Sequence, residues 1–190
     1  MSTQKLLTFV QDITRLLEAR PSEDVILAEG KKLVASLVAS AEWLPEAFRK
    51  AHPEHYQQYL LYADPLDRLS IVSFVWGPGQ KTPVHDHLTW GIVGGLIGEE
   101  KEITFRKQAD GSYQASGEGV LHPGEVTAVS PAIGDVHEVS NHLADQASIS
   151  IHVYGANIGR VHRHVFDPQT GAARAFVSGY ANDVVPNLWN

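Results

Sequence analysis

Along the first forty residues the apolar positions recur at three- and four-residue spacing. Leu6, Val10, Ile13 and Leu17 fall on one side of a helix, and Leu27, Leu33, Val34, Leu37 and Val38 do so again in a second run. Ser22 stands before that second run as a candidate N-cap, with Glu23 and Asp24 in the first turn. A shorter third helix is expected over "PEAFRKAHPEHYQQYLL", interrupted at Pro53. From Leu69 the period changes. "LSIVSFVW", "WGIVGGLIG", "EITFRK", "VTAVS", "HEVSN", "ASISIHVYG" and "RVHRHVFD" are short β-branched or aromatic runs. Turn-forming stretches such as "GPGQ", "ADGS", "HPGE" and "DPQTG" separate them. This texture predicts an antiparallel sandwich or barrel. No repeat or linker divides the chain, so residues 1–190 read as one mainly β domain: a helical cap over residues 1–65 and a β-barrel over residues 66–190.

One of the predicted strands, "SISIHVYG", has an unusual polar side. Side chains alternate along a strand, so Ile149, Ile151 and Val153 share one face, and Ser150, His152 and Tyr154 share the other. A hydroxyl, an imidazole and a phenol in register form either a buried hydrogen-bonded trio or part of a reactive site. No G-x-S-x-G turn exposes Ser150, which argues against a serine hydrolase.

Composition narrows the classes. Acidic residues outnumber basic ones 22 to 15, with no basic cluster, so nucleic acid is not an expected partner. No apolar run reaches the ~18 residues of a membrane span, and the N-terminal stretch lacks the pattern of a secretory signal. With no cysteine there is neither a disulfide frame nor a thiolate metal site, and a cytoplasmic location is expected.

The ten histidines are the feature that changes the picture. In "GQKTPVHDHLTWG", His85 and His87 on a strand would share one face, with Asp86 turned away. Two neutral ring nitrogens could then meet one ion at about 2.0–2.2 Å. In "PAIGDVHEVSN", Gly134 lies three residues before His137 and Asn141 four after it. Imidazole alone does not name the metal.

These two segments resemble the paired motifs of the cupin superfamily, G-x5-H-x-H-x3,4-E-x6-G and G-x5-P-x-G-x2-H-x3-N. The matching residues are Gly79, His85, His87 and Gly98, then Gly124, Pro131, Gly134, His137 and Asn141. Spacing is loosened around Pro131, and Gly91 stands where the first motif has its metal-binding Glu. Glu99 and Glu100 lie beyond Gly98 and do not obviously replace it. The resemblance implies a cupin-type, jelly-roll-like barrel holding one mononuclear non-haem Fe(II) on His85, His87 and His137. Three neutral ligands would leave the ion fully charged, with open positions for an anionic substrate and O2.

With "SISIHVYG" added, the segment from about Tyr56 to Phe166 resembles the thiol dioxygenases, the cysteine dioxygenase family among the cupins. That resemblance implies roles. Tyr154 points its hydroxyl at the open positions, His152 holds the hydroxyl, and Ser150 orients His152. In the animal enzymes an Arg of a Y-x-R-N segment binds the substrate carboxylate, and a Cys is linked to the active-site Tyr. Here Gln58 in "YQQYLL" takes the Arg position, and Gly91 falls near the Cys position. Both departures resemble the bacterial Gln-type branch that oxidises 3-mercaptopropionate. The expected reaction adds both atoms of O2 to the sulfur of a small thiol carboxylate, with 3-mercaptopropionate preferred over L-cysteine, and gives a sulfinate.

Gln58, Tyr154 and Arg163 are the expected carboxylate contacts, with Arg160 and Arg68 as lesser candidates. His162 and His164 would face away from Arg163, and His52, His55, His122 and His142 have no ligand context. Trp76 and Trp90 are either cavity walls or, as buried aromatics more often are, plain core. Two other readings remain open on sequence: a three-histidine cupin that cleaves a carbon–carbon bond of a dicarbonyl substrate, and a metal-binding cupin sensor without enzymatic activity.

Overall fold

The computed structural model describes residues 3–189. Two helices, α1 (Gln4–Glu18) and α2 (Glu23–Val38), precede eleven strands. These are β1 (Gln57–Ala63), β2 (Ser70–Trp76), β3 (Val84–His85), β4 (Gly91–Ile97), β5 (Glu100–Lys107), β6 (Tyr113–Leu121), β7 (Val126–Val129), β8 (His137–Asn141), β9 (Ser148–Tyr154), β10 (Arg163–Phe166) and β11 (Ala173–Phe176). They form two sheets, in the orders β1-β2-β9-β4-β7 and β11-β10-β3-β8-β5-β6, with antiparallel pairing throughout. The architecture is the expected mainly β, cupin-type jelly roll with N-terminal helices.

The predicted third helix is absent. Its first part forms one short 3-10 turn at Glu46–Phe48, and its last part is strand β1. Gln57–Ala63 contains good helix formers, but pairing with β2 through Gln58↔Phe74 and Leu60↔Val72 overrides that preference. The sheets therefore begin at Gln57, inside the stretch expected to be helical.

Three layers explain the burial of β2 and β9, each buried at every position. Ile71, Val75, Ile92, Ile149, Ile151 and Val153 face the helices and join Leu6, Ile13, Val34 and Leu37 in one apolar cluster. Val72, Phe74, Trp76, Val139 and Tyr154 form a second cluster between the sheets. Helix α2 lies so close to β4 that a Cβ on Gly94 would stand 2.7 Å from Val34 Cγ1. The polar face of β9 is thereby pressed into the space between the sheets, and its apolar face is fixed by the helices.

Candidate metal centre and cavity

Three histidines converge at the inner face of the six-stranded sheet. His85 on β3 is paired directly across from His137 on β8, and His87 lies just beyond the end of β3. Their ring centroids form a nearly equilateral triangle of 4.8, 4.8 and 4.9 Å. All three are buried, and their ligand nitrogens lie within 4.8 Å of one another. Burial, then the neighbouring histidines, holds His85 and His87 neutral well below the usual imidazole range.

Each ring is aimed by an acceptor at Nδ1. His85 Nδ1 lies 3.0 Å from the Pro83 carbonyl, His87 Nδ1 2.9 Å from Asp135 Oδ1, and His137 Nδ1 2.5 Å from Glu102 Oε1. Such partners fix the Nδ1–H tautomer and leave Nε2 free to bind an ion. Asp135 also accepts from the backbone N–H groups of His87 and Leu88, which fixes the turn that ends the His pair. Asp86 is turned away, as alternation requires, and accepts from the His164 backbone N–H at 2.7 Å while facing the His164 ring. The donor set fits a divalent transition metal of the non-haem type. Among the described residues no carboxylate enters the triangle; Glu102 and Asp135 stand one layer behind it, at the Nδ1 atoms of His137 and His87.

The polar face of β9 completes the far wall. Ser150 Oγ lies 2.8 Å from His152 Nε2, and His152 Nδ1 lies 2.8 Å from the Tyr154 hydroxyl. All three residues are buried. Burial lowers the basicity of His152 and raises the Tyr154 phenol above its ordinary value. Phe74 packs on the His152 ring at 4.0 Å.

A cavity of about 200 Å³ opens onto the histidine triangle, and its lining also includes Tyr154, His152, Gln58 and Arg163. Arg163 is only 3 % exposed. Its Nη2 donates to Ser178 Oγ at 2.8 Å, and its guanidinium lies over the Phe176 ring at 4.7 Å. Its Nε and the Gln58 Oε1 are buried without a hydrogen-bond partner. Arg68 and Arg160 lie elsewhere, paired with Asp64 and Asp67. Trp76 lines the cavity. Trp90 does not: it belongs to the helix-side cluster, against Gly155, because Gly91 next to it faces Tyr154 and alternation sends Trp90 to the other side. Tyr56, Arg174 and Phe176 line the cavity as well. Sequence pattern offered no signal for Arg174 and Phe176, since β11 reaches the site only by pairing with β10.

The sequence profile of the family described as cysteine dioxygenase type I matches residues 1–167. The chain belongs to the cysteine dioxygenase type I family. That match spans both helices and every strand except β11. Among solved structures, the chain is similar to a conserved protein with a double-stranded β-helix domain from Klebsiella pneumoniae, with 16% identity over 60% of this chain and 89% of that one, at a TM-score of 0.48. It is also similar to an RmlC-like cupin protein from Desulfovibrio desulfuricans, with 19% identity over 61% and 95% of the two chains and a TM-score of 0.43. A cupin superfamily protein from Desulfitobacterium hafniense gives 17% identity over 65% and 88%, with a TM-score of 0.42. Membership of the cysteine dioxygenase family and the three-histidine centre together make this an iron-type, non-haem dioxygenase in class.

Proposed function

We propose that the protein oxidises a small thiol carboxylate to its sulfinate, with 3-mercaptopropionate preferred over L-cysteine, using Fe(II) held by His85, His87 and His137. The observation that carries the reading is Arg163: a buried cation beside the three histidines, with a buried unpartnered Nε and, among the described residues, no Asp or Glu beside it in the cavity lining. A charge in that state is costly unless an anion joins it. A substrate carboxylate would pair with the guanidinium, and the Gln58 amide would add a neutral hydrogen bond.

The choice of thiol follows from the rest of the lining. No Asp or Glu lines the cavity among the described residues. The ammonium of cysteine would lie near Arg163 and a cationic metal with no acid to receive it. 3-Mercaptopropionate carries no such charge.

The iron, when bound, supplies the acidity that makes the thiol a thiolate and the redox chemistry that puts both oxygen atoms on sulfur. The chain's own residues do the rest. Arg163 and Gln58 hold the carboxylate end and set the distance of the sulfur from the histidines. Tyr154, held through its oxygen by His152, presents its hydroxyl to the reacting end of the cavity. Phe74, Trp76 and Phe176 keep water away from the reacting atoms.

The test is oxygen uptake by iron-loaded protein with 3-mercaptopropionate, cysteine and cysteamine, with the sulfinate product identified. Consumption ranked in the order 3-mercaptopropionate, cysteine, cysteamine supports the reading. No uptake with any of the three overturns it, and cysteine ranking first overturns the specificity.

A further inference from the structure

The Ser150–His152–Tyr154 line does not end at Ser150. Beyond it lies Glu100, 4 % exposed, on the inward face of β5. Ser150, Ser148 and the Trp76 indole face its carboxyl group. In the structure neither carboxyl oxygen makes a hydrogen bond of full geometry, and Ser148 Oγ and Trp76 Nε1 are likewise buried and unpartnered. A cavity of about 20 Å³, lined by Glu100, Glu102, His137 and His152, adjoins the group. Among the described residues no Lys or Arg pairs with Glu100. Lys101, next in the chain, lies on the opposite face of β5 and pairs with Glu118. Asn141 on β8 and Leu121 on β6 are its cross-strand partners. The titratable groups near it are the neutral His152, the His137 ring and the Glu102 carboxyl already bound to that ring.

We infer that Glu100 is a neutral carboxylic acid that positions the line, donating its proton to Ser150 Oγ and so fixing the direction in which every hydrogen bond of the line points.

The reasoning is a matter of counting protons. A hydroxyl that accepts from Glu100 gives its own hydrogen to His152 Nε2. His152 then carries its hydrogen on Nδ1 and donates it to the Tyr154 oxygen. Tyr154 is left with its O–H free to donate into the substrate cavity. An ionised Glu100 would reverse each step. Ser150 would donate to the carboxylate, His152 would carry hydrogen on Nε2, and Tyr154 would donate to Nδ1 and offer the cavity only lone pairs. Burial without a cation keeps the acid neutral, with its pKa pushed up to about 8. The tautomer of His152 is independent of what the cavity binds. Only its catalytic consequence rests on the proposed thiol oxidation.

The experiment is nitrogen NMR of His-labelled, metal-free protein at neutral pH, with the His152 signal identified by its loss in His152→Asn. The expected wild-type spectrum shows His152 protonated at Nδ1. Glu100→Gln, whose amide can still donate to Ser150, keeps that tautomer. Glu100→Leu, which cannot donate, shifts His152 toward the Nε2-protonated form. In iron-loaded protein, Glu100→Leu lowers kcat by about tenfold, the worth of one misdirected hydrogen bond, with KM and iron content little changed. Infrared difference spectra should show the carbonyl band of a protonated acid in wild type that Glu100→Gln lacks. An Nε2-protonated wild type, an unchanged tautomer in Glu100→Leu, or the absence of the acid band overturns the inference. A loss of thiol oxidation in wild type with the tautomers as stated overturns only the functional reading.

Discussion

Gly91 lies directly opposite Tyr154 in the β4–β9 ladder, and a Cβ placed on it would stand 2.9 Å from Tyr154 Cε1. The missing side chain is what lets the tyrosine ring settle against β4 with its hydroxyl on His152. Gly91→Ala should displace the ring, because Val129 closes the other side at 3.1 Å. The expected cost is about 1–3 kcal/mol of stability from overpacking. Turnover should drop with iron content preserved, as read by calorimetry, iron analysis and oxygen uptake on the same preparation.

Metal affinity should fall in two grades. His137→Ala removes a ligand nitrogen and should abolish stable binding. Glu102→Ala leaves the ligand but frees its Nδ1, and should weaken binding by roughly 10- to 100-fold. Competition with a chelator of known affinity measures both. Equal affinity in wild type and His137→Ala would remove that residue from the ligand set.

Gln58→Arg adds a guanidinium to a cavity that Arg163 and Arg174 already line, at the end proposed to take the substrate carboxylate. It should move the substrate ranking toward cysteine, whose carboxylate could then pair with the new fork. Steady-state kcat/KM for the two thiols checks this, and an unaltered ratio would separate Gln58 from substrate recognition.

Stability should carry the mark of Glu100. Its folded-state pKa of about 8 lies above the ordinary value of 4.5. The folded protein therefore binds a proton that the unfolded chain releases, and this contribution to stability is fully present below about 4.5. It is lost as pH rises through about 8, at up to ~1.4 kcal/mol per pH unit. Glu100→Gln cannot titrate. Its melting temperature relative to wild type should climb across that window and level off above it.

The clustering of the three histidines was legible because its signal is local. His85 and His87 are two residues apart, and His137 lies in a recognisable glycine context. The Ser150–His152–Tyr154 face was legible for the same reason, since alternation along one strand places all three. Arg163 could be ranked above Arg68 and Arg160 on sequence, and the structure puts it alone among them in the cavity wall. What escaped is held across strands. Glu102 and Asp135 aim His137 and His87 from 35 and 48 residues away in the chain, and no spacing announces such pairs. Strand β1 reads as helix in the sequence because Gln and Leu favour helices and its partner, β2, lies in a later segment. Strand β6 went unnoticed because Gly117, Gly119 and its exposed polar residues resemble a loop.

Strand β9 is buried on both sides, with Ser150, His152 and Tyr154 toward the cavity and Ile149, Ile151 and Val153 toward the helices. The polar wall of the cavity and the scaffold thus share one seven-residue ribbon, and damage to either should register in the other. A truncation that stripped away α1 and α2 would touch no residue of the cavity. It would still leave the back of the tyrosine's strand wet and free to warp, and an assay would score the loss as a dead enzyme rather than as a missing buttress.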